Sequence, residues 1–237
     1  MIKLSNRLQA IANFVPEGSK VADVGTDHGF IPCWLAENKK VEKAYACDIN
    51  ELPLSLAKKN IDENGLEDMV ESRLGNGLAV IEPGEADVVV IAGMGGSLMI
   101  DILDAAPRVV DHLKRIILQP NINAEAVRIW AEKNRWMIVD EDLVRENDRF
   151  SIIIVLEQGR SMNPMSAVEL YLGPVLLKKQ HPLLGLYISE EWDKAQRVLE
   201  QLSHSDSEES RKKERMLKQK WEDVKGVMKC RLGLNLS

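Results

Sequence analysis

Three acids and several glycines are spaced as a ligand-binding cleft needs them. In Val21-Ala22-Asp23-Val24-Gly25-Thr26-Asp27-His28-Gly29 an apolar run ends at Asp23 and the chain turns at Gly25. A strand-to-helix turn beneath a ligand asks for that pattern. The dinucleotide fingerprint G-x-G-x-x-G is missing, because Asp27 stands where its second glycine would be. That glycine lets backbone approach a pyrophosphate, which a carboxylate would repel. The turn therefore suits a ligand without phosphate and with positive charge. S-adenosylmethionine, with its sulfonium and amino group, is one. A plain turn with Asp27 capping the next helix would carry the same letters. Asp48, followed by Ile49, ends the next apolar run 25 residues after Asp23. An acid there can accept from both hydroxyls of a ribose, in a nicotinamide dinucleotide as well as in S-adenosylmethionine.

Further along, Leu74-Gly75-Asn76-Gly77-Leu78 offers Asn76 and Gly77 to the edge of an adenine ring, or forms an ordinary Asn-Gly turn. Ile91-Ala92-Gly93-Met94-Gly95-Gly96 is expected as a flexible mouth opposite the first turn. Ala92 and Gly93 would lie toward the cofactor, Met94 near the reacting group, and Gly95 and Gly96 against a planar base. No Lys-Ser or Lys-Thr follows, so this is not a P-loop. Gln119-Pro120-Asn121 adds two amides, each able to donate to and accept from a base edge. His28 either touches substrate or is a satisfied, partly buried histidine. Metal-ligand spacing does not recur, and G-x-S-x-G is absent, so neither a metal nor a serine triad is expected.

These residues need a scaffold. Leu4, Leu8, Ile11, Ala12 and Val15 recur at helical spacing within residues 1–14, and Pro16-Glu17-Gly18 ends that helix. Strands are expected at 19–24, 41–49, 70–74, 86–92 and 115–118, with helices at 30–37, 53–64, 98–106 and 124–134. The run Val88-Val89-Val90-Ile91 is typical of a central parallel strand. Segments 136–144 and 150–157, around Arg145-Glu146-Asn147-Asp148, read as an antiparallel pair. Five alternations closed by such a pair predict an α/β fold, a doubly wound sheet with an antiparallel edge. Residues 159–165 read as a linker. Residues 166–202 and 208–229 read as two amphipathic helical stretches split by Ser203-His204-Ser205-Asp206-Ser207, a helical hairpin.

Composition bounds the function. The chain has 237 residues, 45% hydrophobic and 29% charged, an ordinary globular balance. It holds no apolar run of the roughly 18 residues a membrane span requires, and its N-terminus lacks a signal-peptide pattern. Cys33, Cys47 and Cys230 are too few and too scattered for a disulfide framework, so a reducing cytoplasm is expected. The net charge of −6 is unevenly spread. Residues 1–158 carry 17 Lys/Arg against 26 Asp/Glu, whereas residues 211–231 carry 9 against 3. A basic tail on an acidic body is either a solvated helix face or a contact for a polyanion.

Taken together, Leu4-Ser5-x-Arg7-Leu8, Asp23-Val24-Gly25-Thr26-Asp27-His28, Ile91-Ala92-Gly93-Met94-Gly95-Gly96 and Ile117-Leu118-Gln119-Pro120-Asn121 resemble the bacterial TrmK family of tRNA (adenine-22-N1)-methyltransferases. The motifs fall within residues 1–158. The resemblance implies a Rossmann-like class I methyltransferase sheet and a coiled-coil-like C-terminal domain. It also implies S-adenosylmethionine as methyl donor and 1-methyladenosine in tRNA as product. On it, residues 1–158 form the catalytic domain and 159–237 the helical domain, which the acidic body and basic tail make the expected tRNA clamp. Asp23, Gly25, Thr26, Asp27, Asp48, Ile49, Asn76, Gly77, Ala92 and Gly93 would hold the cofactor. Asp27, His28, Arg7 and Met94 would stand at the reaction. Gly95, Gly96, Gln119 and Asn121 would meet the base. Lys212, Lys213 and Arg215, with Lys218, Lys220, Lys225 and Lys3 in support, would meet phosphates. Asp27 could serve the methionine amino group or the base. No metal, membrane or obligate protein partner is expected. The competing readings are an NAD-dependent oxidoreductase, a methyltransferase for another acceptor, and a non-catalytic module whose hairpin binds a partner or dimerises.

Overall fold

The computed structural model describes residues 2–161, 163–204 and 207–232. Ser205 and Asp206 of the expected polar turn lie outside them. The chain forms two compact units, Met1–Met162 and Asn163–Ser237.

In the first unit seven strands form one sheet: β1 Ser19–Val24, β2 Val41–Asp48, β3 Val70–Leu74, β4 Val88–Gly95, β5 Arg115–Ile122, β6 Trp136–Glu146 and β7 Arg149–Gln158. Their order is β3-β2-β1-β4-β5-β7-β6. The first five are parallel, and β7 is inserted antiparallel between β5 and β6. This is the class I methyltransferase arrangement that the resemblance implies. Helices α1 Asn6–Asn13, α2 Phe30–Glu37 and α3 Glu51–Glu63 share a buried cluster with one sheet face, through Ile11, Ile31, Leu35 and Ile61 against Val21, Val88, Val90 and Ile117. Alternation turns Val89, Ile91, Ile116 and Leu118 to the other face, all fully buried. Helix α4 Gly96–Asp104 packs on β4 and β5 there, and on α6 Ala124–Lys133. Each such Val, Ile or Leu contributes roughly 1.5–3 kcal/mol by leaving water.

The strands around the site run further than their apolar runs suggest. β4 continues through Ala92 to Gly95 and β5 through Gln119 to Ile122, pairing Met94 with Pro120 and Gly95 with Ile122. The expected flexible mouth is therefore largely strand, interrupted at Gly93 (φ +77°), where the register shifts. The β6–β7 connection is shorter than the four residues expected. Glu146 pairs with Arg149, and Asn147 and Asp148 both have positive φ (48° and 55°), a two-residue turn that follows the strand twist. A 3-10 turn (Gly77–Val80) and α5 (Pro107–Val110) carry too few residues to show a period.

In the second unit the expected single stretch 166–202 is three helices, α7 Ala167–Leu172, α8 Pro174–Lys178 and α9 Leu184–Ser203. Gly173 (φ +101°) and Pro174 break the first junction, because proline cannot extend a preceding helix. Helix α10 Glu208–Val227 packs on α9, leading into a π-helical turn Met228–Leu232. Trp221 is buried at the centre, edge-on to Tyr171 (6.0 Å) and 5.1 Å from Trp192 between ring centroids. No described helix is long and apolar enough to cross a membrane.

Candidate active site

A cleft of about 790 Å³ opens at the carboxyl edge of the sheet in the first unit. Its floor is the β1 turn. Asp23, 4% exposed, lies near the end of β1, and Thr26 Oγ1 donates to its Oδ2 at 2.6 Å. The amides of Gly25 and Thr26 both donate to Cys47 O, which holds the turn against β2. Burial pushes the Asp23 carboxyl up to about 6; the Thr26 hydrogen bond opposes this, Asp48 adds to it, and Arg7 opposes it. Gly25 needs to be glycine for its backbone, with φ +75°; a Cβ would also lie 2.2 Å from Met94 Cε, the movable end of a flexible side chain. Asp48 ends β2 and accepts from Asn50 N at 2.8 Å.

The wall is built by α1 and β5. Ser5 caps α1, accepting from Leu8 N. Arg7, one residue into the helix, donates through Nη1 to Gln119 Oε1 at 2.7 Å. Gln119 Nε2 donates to Asn121 Oδ1 at 3.1 Å, and Asn121 Nδ2 donates to Gly93 O at 2.7 Å. The α1 end is fixed by Glu146 of β6, whose Oε1 accepts from Asn6 N at 2.8 Å.

Of the expected site residues, Arg7, Asp23, Gly25, Thr26, Asp27, Asp48, Ala92, Gly93, Met94 and Asn121 line this one cleft. Asp27 projects into solvent, with a left-handed backbone (φ +45°) and a side chain 77% exposed. It does not cap α2, whose cap is Gly29 without a side-chain bond. His28 Nε2 lies 3.6 Å from Asp27 Oδ1, and its ring stacks on Phe30 at 5.2 Å. Asn60 Nδ2 donates to His28 O and pins the loop.

The others are not among the residues that line this cleft. Ile49 is exposed. Asn76 and Gly77 line a separate hollow of about 190 Å³ with Leu98 and Ile102. Gln119, expected on the rim, is fully buried. Gly96 is glycine for a packing reason, since a Cβ there would meet Asn123 O at 2.4 Å; Gly95 lies beside Ile122. Glu146, Asn147, Arg149 and Ser151 also line the cleft, and residue type alone does not point to them. The Asn147-Asp148 turn is visible in the sequence. Only the insertion of β7 brings that hairpin tip to the ligand edge.

Among the described residues no group of three His, Cys, Asp or Glu is gathered as a metal would require. In the second unit Lys212 and Arg215 are exposed on α10. Lys213 pairs with Glu209 (2.7 Å) and Lys218 with Glu214 (2.7 Å). Lys220 lies over the Tyr171 ring (3.4 Å) and Lys225 over Trp192 (4.3 Å), so these two are part of the unit's packing.

A methyltransferase domain family matches residues 4–154. The tRNA (adenine(22)-N(1))-methyltransferase of Bacillus subtilis strain 168 is 35% identical over 232 residues, 96% of this chain and 98% of that protein. The chain belongs to the TrmK family. The crystal structure of the B. subtilis m1A22 tRNA methyltransferase TrmK superposes with a TM-score of 0.87 at 34% identity, over 96% of this chain and 100% of that one. The Mycoplasma capricolum TrmK, solved with S-adenosyl-homocysteine, gives 0.79 at 27% identity over 91% and 96%. The similarity to both TrmK structures thus includes the helical unit as well as the sheet.

Proposed function

We propose that this protein transfers a methyl group from S-adenosylmethionine to N1 of adenine 22 in tRNA, giving 1-methyladenosine. The carrying observation is the cleft lined by Asp23, Asp27 and Asp48 on a sheet shared end to end with the m1A22 methyltransferase of B. subtilis. The cleft fits the donor. About 790 Å³ is within the range for a ligand of this size. Asp23 and Asp48 lie on its floor, where a cation and a ribose diol find acceptors, and Asp27 at its mouth opposes a pyrophosphate. S-adenosylmethionine supplies an electrophilic methyl on a positive sulfur.

The rest is positioning. N1 of neutral adenine carries a free lone pair, so no strong base has to act before transfer. The protein's part is to align N1 with the methyl carbon and exclude water. Positive charge develops on the base, and a carboxylate or carbonyl near its amino group stabilises it. Asp27 and the carbonyl of Gly93 are the groups we assign to that end of the cleft, with Asp27 able to serve the methionine amino group instead. A base in a tRNA arm must be extracted from its stack at a cost of a few kcal/mol. Phosphate contacts compensate, and we assign them to the exposed α10 cations Lys212 and Arg215, with Lys213. We assign the reaction to the cytoplasm, the compartment that tRNA as substrate suggests.

The test is methyl transfer from labelled S-adenosylmethionine to unmodified tRNA, with the product nucleoside identified by mass spectrometry. Formation of 1-methyladenosine that disappears when adenine 22 is replaced is the expected result. Donor binding without transfer would keep the cofactor and discard the acceptor.

A further inference from the structure

The three side chains behind the rim of the cleft form a directed chain. Arg7 Nη1 donates to Gln119 Oε1 (2.7 Å), Gln119 Nε2 to Asn121 Oδ1 (3.1 Å), and Asn121 Nδ2 to Gly93 O (2.7 Å). Its direction is fixed by its ends. A guanidinium can only donate and a backbone carbonyl can only accept, so neither intervening amide can turn over without opposing two like groups. Gln119 is fully buried and cannot itself reach a base. Asn121 is exposed and lines the cleft. An amide has two acceptor sites and two N–H donors. One of each is used in the chain, leaving Asn121 one acceptor site and one N–H.

We propose that Gln119 is a positioning residue: gripped by Arg7, it fixes the amide of Asn121 so that the remaining acceptor and donor take the N6/N7 edge of the target adenine. This rests on the tRNA-adenine reading above. Adenine offers a matching pair away from its reactive nitrogen, an N6–H donor and the N7 acceptor. Held by that edge, its N1 lone pair stays free to attack. Guanine presents two acceptors, O6 and N7, and leaves the Asn121 acceptor facing an oxygen. An Asn121 free to turn over would lose that distinction. The buried partner therefore sets both the orientation of adenine and its selection over guanine.

The experiment uses the full chain, wild type and Gln119→Glu, with tRNA carrying either adenine or 7-deazaadenine at the target position. The glutamate keeps an acceptor for Arg7 and removes the donor to Asn121. Single-turnover rate, donor affinity and melting temperature are measured together. Wild type is expected to be about tenfold slower on 7-deazaadenine, the loss of one base-edge hydrogen bond. Gln119→Glu is expected to be at least about tenfold slower on adenine, with donor affinity and melting temperature unmoved and the gap between substrates collapsed. Equal wild-type rates on the two substrates overturn the proposal, whatever the variant does. So does a gap that survives in full in the variant. Wild-type failure on both substrates, with donor still bound, overturns the tRNA reading beneath it.

Discussion

Thr26 and Asp23 are joined inside the cleft floor by a 2.6 Å hydrogen bond from Oγ1 to Oδ2, the largest contribution that offsets the burial of that carboxyl. Asp23 is still raised to about 6 from 3.8. Its contribution to stability is therefore fully present below about 4 and lost as pH rises through 6, on the order of 3 kcal/mol. A cationic ligand favours the ionised form and reverses the trend. Donor affinity should weaken as pH falls below 6, approaching tenfold per pH unit. Thr26→Val removes the stabilising donor and should move that break upward. Calorimetry across pH 5–8 checks both, and a flat profile would remove Asp23 from the ligand's surroundings.

Gly96→Ala places a methyl 2.4 Å from the backbone oxygen of Asn123, which cannot swing aside as a side chain would. A loss of about 1–3 kcal/mol is expected, with slower methyl transfer. Gly226, within α10, is the contrast, because a Cβ added there would meet nothing inside 4 Å. Gly226→Ala should stabilise by about 0.5–1 kcal/mol. Thermal unfolding of the two variants decides.

Arg73 grips Glu85 with two 2.6 Å bonds, donates to Val80 O and stacks over Tyr45, closing the β3–β4 connection. Its guanidinium holds the Glu85 carboxyl down at about 2. That stability is present above pH 4.5 and lost as pH falls through 2. Glu85→Gln should cost about 1.5–3 kcal/mol at pH 7 and flatten the acid limb of stability below about pH 4.5. Urea unfolding at about pH 7 and pH 3 measures both.

Arg128 on α6 and Glu141 on β6 form a fully buried ion pair at 2.8 Å. Arg128→Leu alone takes from the buried Glu141 carboxylate the cation 2.8 Å away and should cost about 3–5 kcal/mol. The double variant Arg128→Leu, Glu141→Leu should recover most of it. A double variant no better than the single would show that the pair is not the unit of stability.

Lys212→Glu with Arg215→Glu should weaken tRNA binding and lower the salt slope of log Kd by roughly 2 if both meet phosphate, while leaving donor affinity unchanged. An unchanged slope would make them solvated charges. Lys220→Glu, by contrast, disturbs the Tyr171 ring contact and should lower the melting temperature.

The sheet is legible in the sequence because its strands are apolar and its turns are glycines. Ser19–Val24 and Val70–Leu74 match the expected bounds. Gly93–Gly95 and Gln119–Ile122 do not read as strand, because what extends them is pairing between β4 and β5, which no local pattern reveals. The acids of the cleft are legible from residue type at strand ends. Gln119 is not, since an amide in Gln-Pro-Asn reads the same whether it faces a ligand or Arg7. Glu146, Arg149 and Ser151 depend on strand order, and strand order comes from the resemblance alone. In the helical unit, Gly173-Pro174 marks a break by residue type, but the apolar period on both sides of it reads as one stretch.

The bond from Asn6 N to Glu146 Oε1 links positions 140 apart. At ribosomal speeds the second of the two is made only on the order of 10 s after the first. Throughout that interval α1 lacks the carboxylate that holds its start, and the cleft lacks its hairpin wall. Closing so long a loop is entropically late. The half-made chain can gather β1 to β5 around their apolar core, yet it cannot hold a ligand as the finished protein would. A chain still short of the hairpin presents Asp23 and Asp48 without the wall that Glu146, Asn147, Arg149 and Ser151 complete.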